Sequence, residues 1–130
     1  SNPGGAMAAA IDEEVAKFRK VQEDLQKVRN DLQIVMGQLA ENEMVQQELQ
    51  LLDGNANIYK MVGPVLMKNS QEEAKETVGK RIEFITSEKD RLETKGKELE
   101  QKGMEISQKV QQMQSTLQQA TAAAVQQIAQ

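Results

Sequence analysis

Residues 53–68 read DGNANIYKMVGPVLMK, and this stretch decides the fold because the helical grammar on either side of it stops here. Asp53-Gly54-Asn55 is a helix stop, with Gly54 suited to a left-handed position just past the last turn. Ile58-Tyr59-Lys60-Met61-Val62 has strand composition, Gly63-Pro64 makes a turn, and Val65-Leu66-Met67-Lys68 returns as a second strand. Pro64 cannot donate a ladder hydrogen bond, so it belongs at the turn or at a strand start. An isolated two-stranded hairpin is marginal in water. This one carries Ile58, Met61, Val62, Val65, Leu66 and Met67 on both faces, more than one narrow helix pair covers. The expected role is assembly: Ile58, Tyr59, Met61, Val62, Val65, Leu66 and Met67 pair with hairpins of other chains. The alternative is a local cap folded back on the helices. Composition and spacing leave the strand register open.

Outward from the hairpin, both flanks turn to a seven-residue repeat. Ile11, Phe18, Leu25, Leu32 and Leu39 stand seven apart, with Val21, Val28, Val35 and then Leu49 on the second line of the seam. A sustained heptad implies that the helix wraps a partner. Asn42 and Gln46 interrupt it, either as register-setting polar groups or as the point where the arm opens. The second arm opens on Ser70-Gln71-Glu72-Glu73, a capping box with Ser70 as N-cap and Glu73 as its reciprocal carboxylate. Its stripe is Val78, Ile85, Leu92, Leu99, Ile106, Met113 and Ala120. The companion line is Ile82, Lys89, Gly96, Gly103, Val110, Leu117 and Ala124. Gly96 and Gly103 signal either close helix approach or a loosened helix. Pairs such as Glu13–Lys17, Glu23–Lys27, Glu76–Lys80, Glu93–Lys97, Glu98–Lys102 and Glu105–Lys109 read as a solvated face worth a few tenths of a kcal/mol each. Folded at the hairpin, the heptads align antiparallel, with Leu39 opposite Ile85, Leu32 opposite Leu92, Leu25 opposite Leu99 and Phe18 opposite Ile106. These pairs share a midpoint at Val62, inside the hairpin.

The expected fold is therefore mainly α: a long antiparallel coiled-coil hairpin with one β-hairpin at the bend, whose strands pair with other subunits. Residues 1–7 read as an expression scar ahead of a native Met7. Residues 8–52 form the first arm, 53–69 the assembly element, and 70–130 the second arm with its uncharged tip.

Composition agrees. The 130 residues hold two Phe, one Tyr and no Trp, yet are 38% hydrophobic and 28% charged, a mixture for elongated helices each burying one stripe. With no Cys and no His, disulfides, thiolate nucleophiles and imidazole acid–base chemistry are unavailable, and no cofactor or metal site is expected. A net charge of −4 argues against nucleic acid as a general partner. No apolar run reaches the roughly 20 residues that span a bilayer, and no signal peptide is read. Glu72 and Glu73 are paired carboxylates, but no nucleophile–base arrangement or pocket-forming core accompanies them, so an enzyme is not expected.

From Val110 to Gln130 the chain reads VQQMQSTLQQATAAAVQQIAQ, without a charged residue. Two readings stand: an adaptable surface for exposed hydrophobic chains, or a frayed low-complexity tail. In the folded hairpin this segment lies beside Ile11, Val15 and Phe18. Geometry thus gathers Ile11, Val15, Phe18, Val110, Met113 and Leu117 as the candidate client-binding tip.

LLDGNANIYKMVGPVLMK (residues 51–68) followed by ETVGKRIEFITSEKDRLE (residues 76–93) resembles prefoldin of the beta class. The likeness runs from Ile11 to about Leu117 and is most specific where the non-helical insert meets Val78-Gly79-Lys80-Arg81. The resemblance implies a heterohexamer of alpha- and beta-class prefoldin subunits, with hairpins joined into β-barrels and coiled coils hanging as tentacles. Their tips would hold unfolded clients such as actin and tubulin and deliver them, without ATP, to the group II chaperonin of the cytoplasm. An isolated subunit would hide its hairpin in a homo-oligomer. The competing expectation is a structural coiled-coil tether or adaptor whose distal end binds one folded partner.

Overall fold

The computed structural model describes residues 3–129. Helix α1 runs Pro3–Leu51, strands β1 and β2 run Ile58–Val62 and Val65–Asn69, and helix α2 runs Gln71–Ala129. The first helical turn lies within the stretch set apart as an expression scar; Ser1 and Asn2 of that stretch, and Gln130 of the tip, fall outside the described residues. Among the described residues no helix is long and apolar enough to cross a membrane. The chain divides into two compact units: one combines α1 up to Arg29 with α2 from Thr94, and the other is Asn30–Glu93.

In the first unit the heptad does what its spacing requires. Ile11, Val21, Leu25, Val28 and Ile106 are buried, and Phe18, Leu99 and Val110 are half-buried between them. A Cβ built on Gly96 meets Val28 Cγ1 at 3.6 Å, and one built on Gly103 meets Val21 Cγ1 at 3.6 Å. Both contacts are centred on Val62, so the antiparallel register read from the sequence holds here. The two glycines are buried on the seam, but those distances are ordinary van der Waals contact, with room for a methyl group. The seam does not extend to the end of α2: Ala120 and Ala124 are exposed, as is every described residue beyond Leu117.

In the second unit, Leu49 of α1 packs on Ala74 and Val78 of α2, with Ile58 and Ile82 against them. Asn42 Nδ2 donates to the Gln38 carbonyl of its own helix at 2.8 Å, and Leu49 is buried beyond it. The polar interruption is therefore satisfied locally, and the seam resumes. The helix stop uses different chemistry from the left-handed glycine expected at Gly54. Gly63 is the one described residue with positive φ, at 58°. The exit from α1 is held instead by the Ala56 amide donating to the Asp53 carbonyl at 2.9 Å and the Asn55 amide donating to Asp53 Oδ1 at 3.2 Å. An Asx turn of this kind needs no left-handed residue at Gly54.

The strands pair antiparallel with Ile58 opposite Asn69, Tyr59 opposite Lys68, Lys60 opposite Met67, Met61 opposite Leu66 and Val62 opposite Val65. A two-residue loop joins them, with Gly63 at positive φ and Pro64 following. That is the type II′ arrangement, whose backbone twist matches the strands it connects. Ser70 caps α2 through its hydroxyl, which accepts from the Glu73 amide at 3.0 Å, and Glu72 and Glu73 place negative charge in the first turn, where the helix dipole favours it.

Candidate functional site

The hairpin is the first candidate surface. Alternation along the ribbon puts Ile58, Lys60, Val62, Val65 and Met67 on one face, and Tyr59, Met61, Leu66 and Lys68 on the other. Of the seven residues expected to assemble, Ile58 is half-buried against the chain's own Leu49, Ala74 and Val78, because it sits where β1 leaves the helix ends. It anchors the ribbon. The other six stand in solvent, Leu66 at 65% and Met61 at 63% exposure. Met61 and Leu66 are direct cross-strand partners, so their side chains make one apolar block on one face, with Tyr59 beside it. Val62, Val65 and Met67 make another on the opposite face. Each strand pairs on one edge within the two-stranded sheet, leaving its other edge to pair with a further strand.

What aims this ribbon is a residue the sequence reading passed over. Gln71 Nε2, at the start of α2, donates to the Asp53 carbonyl at 2.7 Å and to the Ala56 carbonyl at 2.9 Å. One side chain thus ties the turn after α1 to the root of α2 and fixes where β1 begins. No local pattern in the sequence marks this role, since it depends on a contact between residues far apart in the chain.

The second candidate surface is the end of the first unit. Val15, Phe18 and Val110 line a shallow open groove with Ser107, Gln111 and Gln114. Three of the six residues gathered as a tip therefore do share one surface. Ile11 is buried in the seam, and Met113 and Leu117 are half-buried further along α2. Farther out, Val125 and Ile128 are 60% and 85% exposed.

Beside this groove the structure places a charge within the seam. Glu14 is buried, and its Oε1 accepts from Lys17 Nζ and from Lys109 Nζ of α2, both at 3.1 Å. The Lys109 bond, then the Lys17 bond, hold the Glu14 carboxyl below its ordinary 4.5. Lys17 and Lys109 turn to Glu14 instead of the i,i+4 partners Glu13 and Glu105 expected from spacing. The Glu76–Lys80 pair forms as expected, at 3.1 Å. A signal for Glu14 was present in the sequence: it occupies the seam position seven residues before Val21.

Set against known proteins, the family model described as prefoldin subunit matches residues 12–128. Prefoldin subunit 6 of Mus musculus is 46% identical over 81 residues, covering 62% of this chain and 64% of that protein. The Homo sapiens protein of the same name is 46% identical over 81 residues, covering 62% of this chain and 63% of its own length. The matched part thus spans somewhat under two thirds of these relatives. Among solved structures, the prefoldin beta subunit from Thermococcus strain KS-1 superposes with a TM-score of 0.75 at 27% identity, over 83% of this chain and 92% of that one. The beta2 subunit from the same source, at 21% identity and a TM-score of 0.61 over 71% of this chain and 98% of that one, shares the fold. A sheet of two strands between two heptad helices, matched along most of its length by one family, places the chain in the prefoldin subunit family, with the fold of its beta-class members.

Proposed function

We propose that this chain is a subunit of an ATP-independent prefoldin-type chaperone, built into a heterohexamer with alpha- and beta-class partners through its β-hairpin. The observation that carries this reading is the exposure of Tyr59, Met61, Val62, Val65, Leu66 and Met67 on a ribbon only two strands wide. Burying such side chains contributes on the order of 25 cal/mol per Å2 of apolar surface, and the open strand edges offer main-chain hydrogen bonds to a neighbouring strand. The partner class that satisfies both is another hairpin of the same kind.

The open end of the first unit is the proposed holding surface for non-native clients such as actin and tubulin, passed on to the cytoplasmic group II chaperonin. The groove of Val15, Phe18 and Val110 gives shallow apolar contact. The uncharged run from Val110 adds Met113, Leu117, Val125 and Ile128 on a Gln and Ala background. Contact of this kind accepts many extended chains and demands no one shape. The proposal assigns the chain no catalytic role.

Mixing the chain with alpha- and beta-class partner subunits and measuring mass in solution tests the assembly half. Met61→Lys with Leu66→Lys should block incorporation; normal incorporation would refute the hairpin role. Deleting residues 110–130 should leave assembly intact and weaken suppression of client aggregation. Full suppression by correctly assembled truncated complexes removes the tip from the reading.

A further inference from the structure

The turn that leaves α1 contains a residue pair with a chemistry of its own. Asp53-Gly54 is the one aspartyl-glycyl bond in the chain, and both residues are exposed. The other aspartates, Asp12, Asp24, Asp31 and Asp90, lie inside α1 or α2 and are followed by Glu13, Leu25, Leu32 and Arg91. There the peptide nitrogen after each aspartate is held in the helix ladder.

At Asp53 nothing holds it. The Gly54 amide donates no hydrogen bond among the described residues, and no atom stands within 4 Å of where a Gly54 Cβ would be. The Asn55 amide donates to Asp53 Oδ1 at 3.2 Å. That Asx turn draws the carboxyl group back over the intervening Gly54 peptide and polarises Cγ. Electrophile and nucleophile are thus neighbours, with no side chain on the glycine to shield the nitrogen.

We propose that Asp53 is a site of spontaneous backbone isomerisation. The Gly54 nitrogen bonds to Asp53 Cγ, the side-chain hydroxyl and the amide proton leave together as water, and a succinimide ring closes. Water then adds to one of the two ring carbonyls. Opening at Cγ restores aspartate, and opening at the former main-chain carbonyl carbon leaves isoaspartate. One carboxylate replaces another, so the charge is unchanged and no oxidant or reductant takes part.

The product alters the joint at the root of the ribbon. In isoaspartate the chain runs through Cβ and Cγ, one carbon longer, and the former main-chain carbonyl becomes a free carboxylate on a branch. That carbonyl is the group that accepts from Gln71 Nε2 at 2.7 Å and from the Ala56 amide at 2.9 Å. Isomerisation therefore acts on the tie that fixes where β1 begins. The inference stands on the turn alone and does not require the assembly reading.

Peptide mapping of the full chain, held for weeks at physiological temperature and neutral pH, tests the site. Isoaspartate is read by methyltransferase labelling from S-adenosylmethionine. Isomerisation keeps the mass, whereas deamidation at Asn55 or Asn57 raises it. Isoaspartate should accumulate at Asp53 at least about tenfold faster than at the four helical aspartates, where a turn of helix must open first. Gly54→Ala, whose methyl group meets open space but shields the nitrogen, should slow it at least about fivefold. Amide exchange on the separated aged and fresh chains reads the consequence. The isomerised chain should lose protection at Ala56 and at the start of β1 and keep it near Val21 and Leu25. Isoaspartate rising no faster at Asp53 than in the helices, or equally fast in Gly54→Ala, overturns the site. An isomerised chain that exchanges like the fresh one at Ala56 overturns its effect on the joint.

Discussion

Val21 and Val65 are the same residue with opposite fates: one is 2% exposed on the helix seam, the other 56% exposed on the hairpin. Leu25 and Leu66 repeat the contrast at 4% and 65%. Hydrophobicity is equal within each pair, so the difference lies in periodicity and in what stands opposite. On α1, apolar residues return every three or four positions, and a second helix with the same repeat lies against that line. On the ribbon, consecutive residues point to opposite faces, and Ile58 at its root packs on the helix cluster of Leu49, Ala74 and Val78. A heptad brings its own cover within the chain. A two-stranded ribbon with apolar groups on both faces does not.

Breaking the contrast should give its largest effect on the seam. Leu25→Ala should cost about 2–4 kcal/mol in urea unfolding, because a buried leucine leaves a cavity that the helices fill only in part. Leu66→Ala on the unassembled chain should stay within about 0.5 kcal/mol. Equal losses at the two positions would mean that the hairpin packs against its own chain after all.

Next comes the turn. Gly63→Ala must place a side chain at the positive φ of 58°, a strain of about 1–2 kcal/mol. Its effect should appear as faster amide exchange in β1 and β2, with the seam unchanged. In the opposite direction, Gly103→Ala should stabilise the chain by about 0.5–1 kcal/mol, since helix interiors disfavour glycine by that much and the new methyl meets Val21 Cγ1 at 3.6 Å. A higher melting midpoint confirms it, and a lower one means that the helices cannot accommodate the methyl group.

The smallest effect concerns Glu14. Its folded-state carboxyl sits below the ordinary 4.5, so its pairing with Lys109 and Lys17 stabilises the fold above that pH and is lost as the pH falls through the depressed value. Glu14→Gln should flatten the pH dependence of stability below about 4.5 and leave its slope near neutrality unchanged. An unaltered acid limb would show that the ion pairs are idle.

Much of this was legible in the sequence, for reasons that the residues explain. Heptad spacing marked Leu25, Val28 and Ile106 as seam, and the antiparallel register followed from repeats on both sides of one insert. The strand limits were visible because Gly63-Pro64 is a turn signal and α2 opens on a capping serine. Three things were not. The Asp53 turn replaced a left-handed Gly54 because side-chain and long-range hydrogen bonds, invisible to local propensity, hold it. Gln71 depends on a contact 18 residues away in sequence. Ala120 and Ala124 continue the heptad in pattern, yet both are exposed. Pattern identifies a face that wants covering; what stands opposite it decides whether it is covered.

The most direct test is amide exchange across Ile58–Asn69, measured on the chain alone and after mixing with alpha- and beta-class partner subunits. Assembly through the ribbon predicts fast exchange at its edges alone and strong protection in the mixture, while amides near Val21 and Leu25 stay protected throughout. Identical exchange of the ribbon in both samples, with the complex formed, would contradict the account.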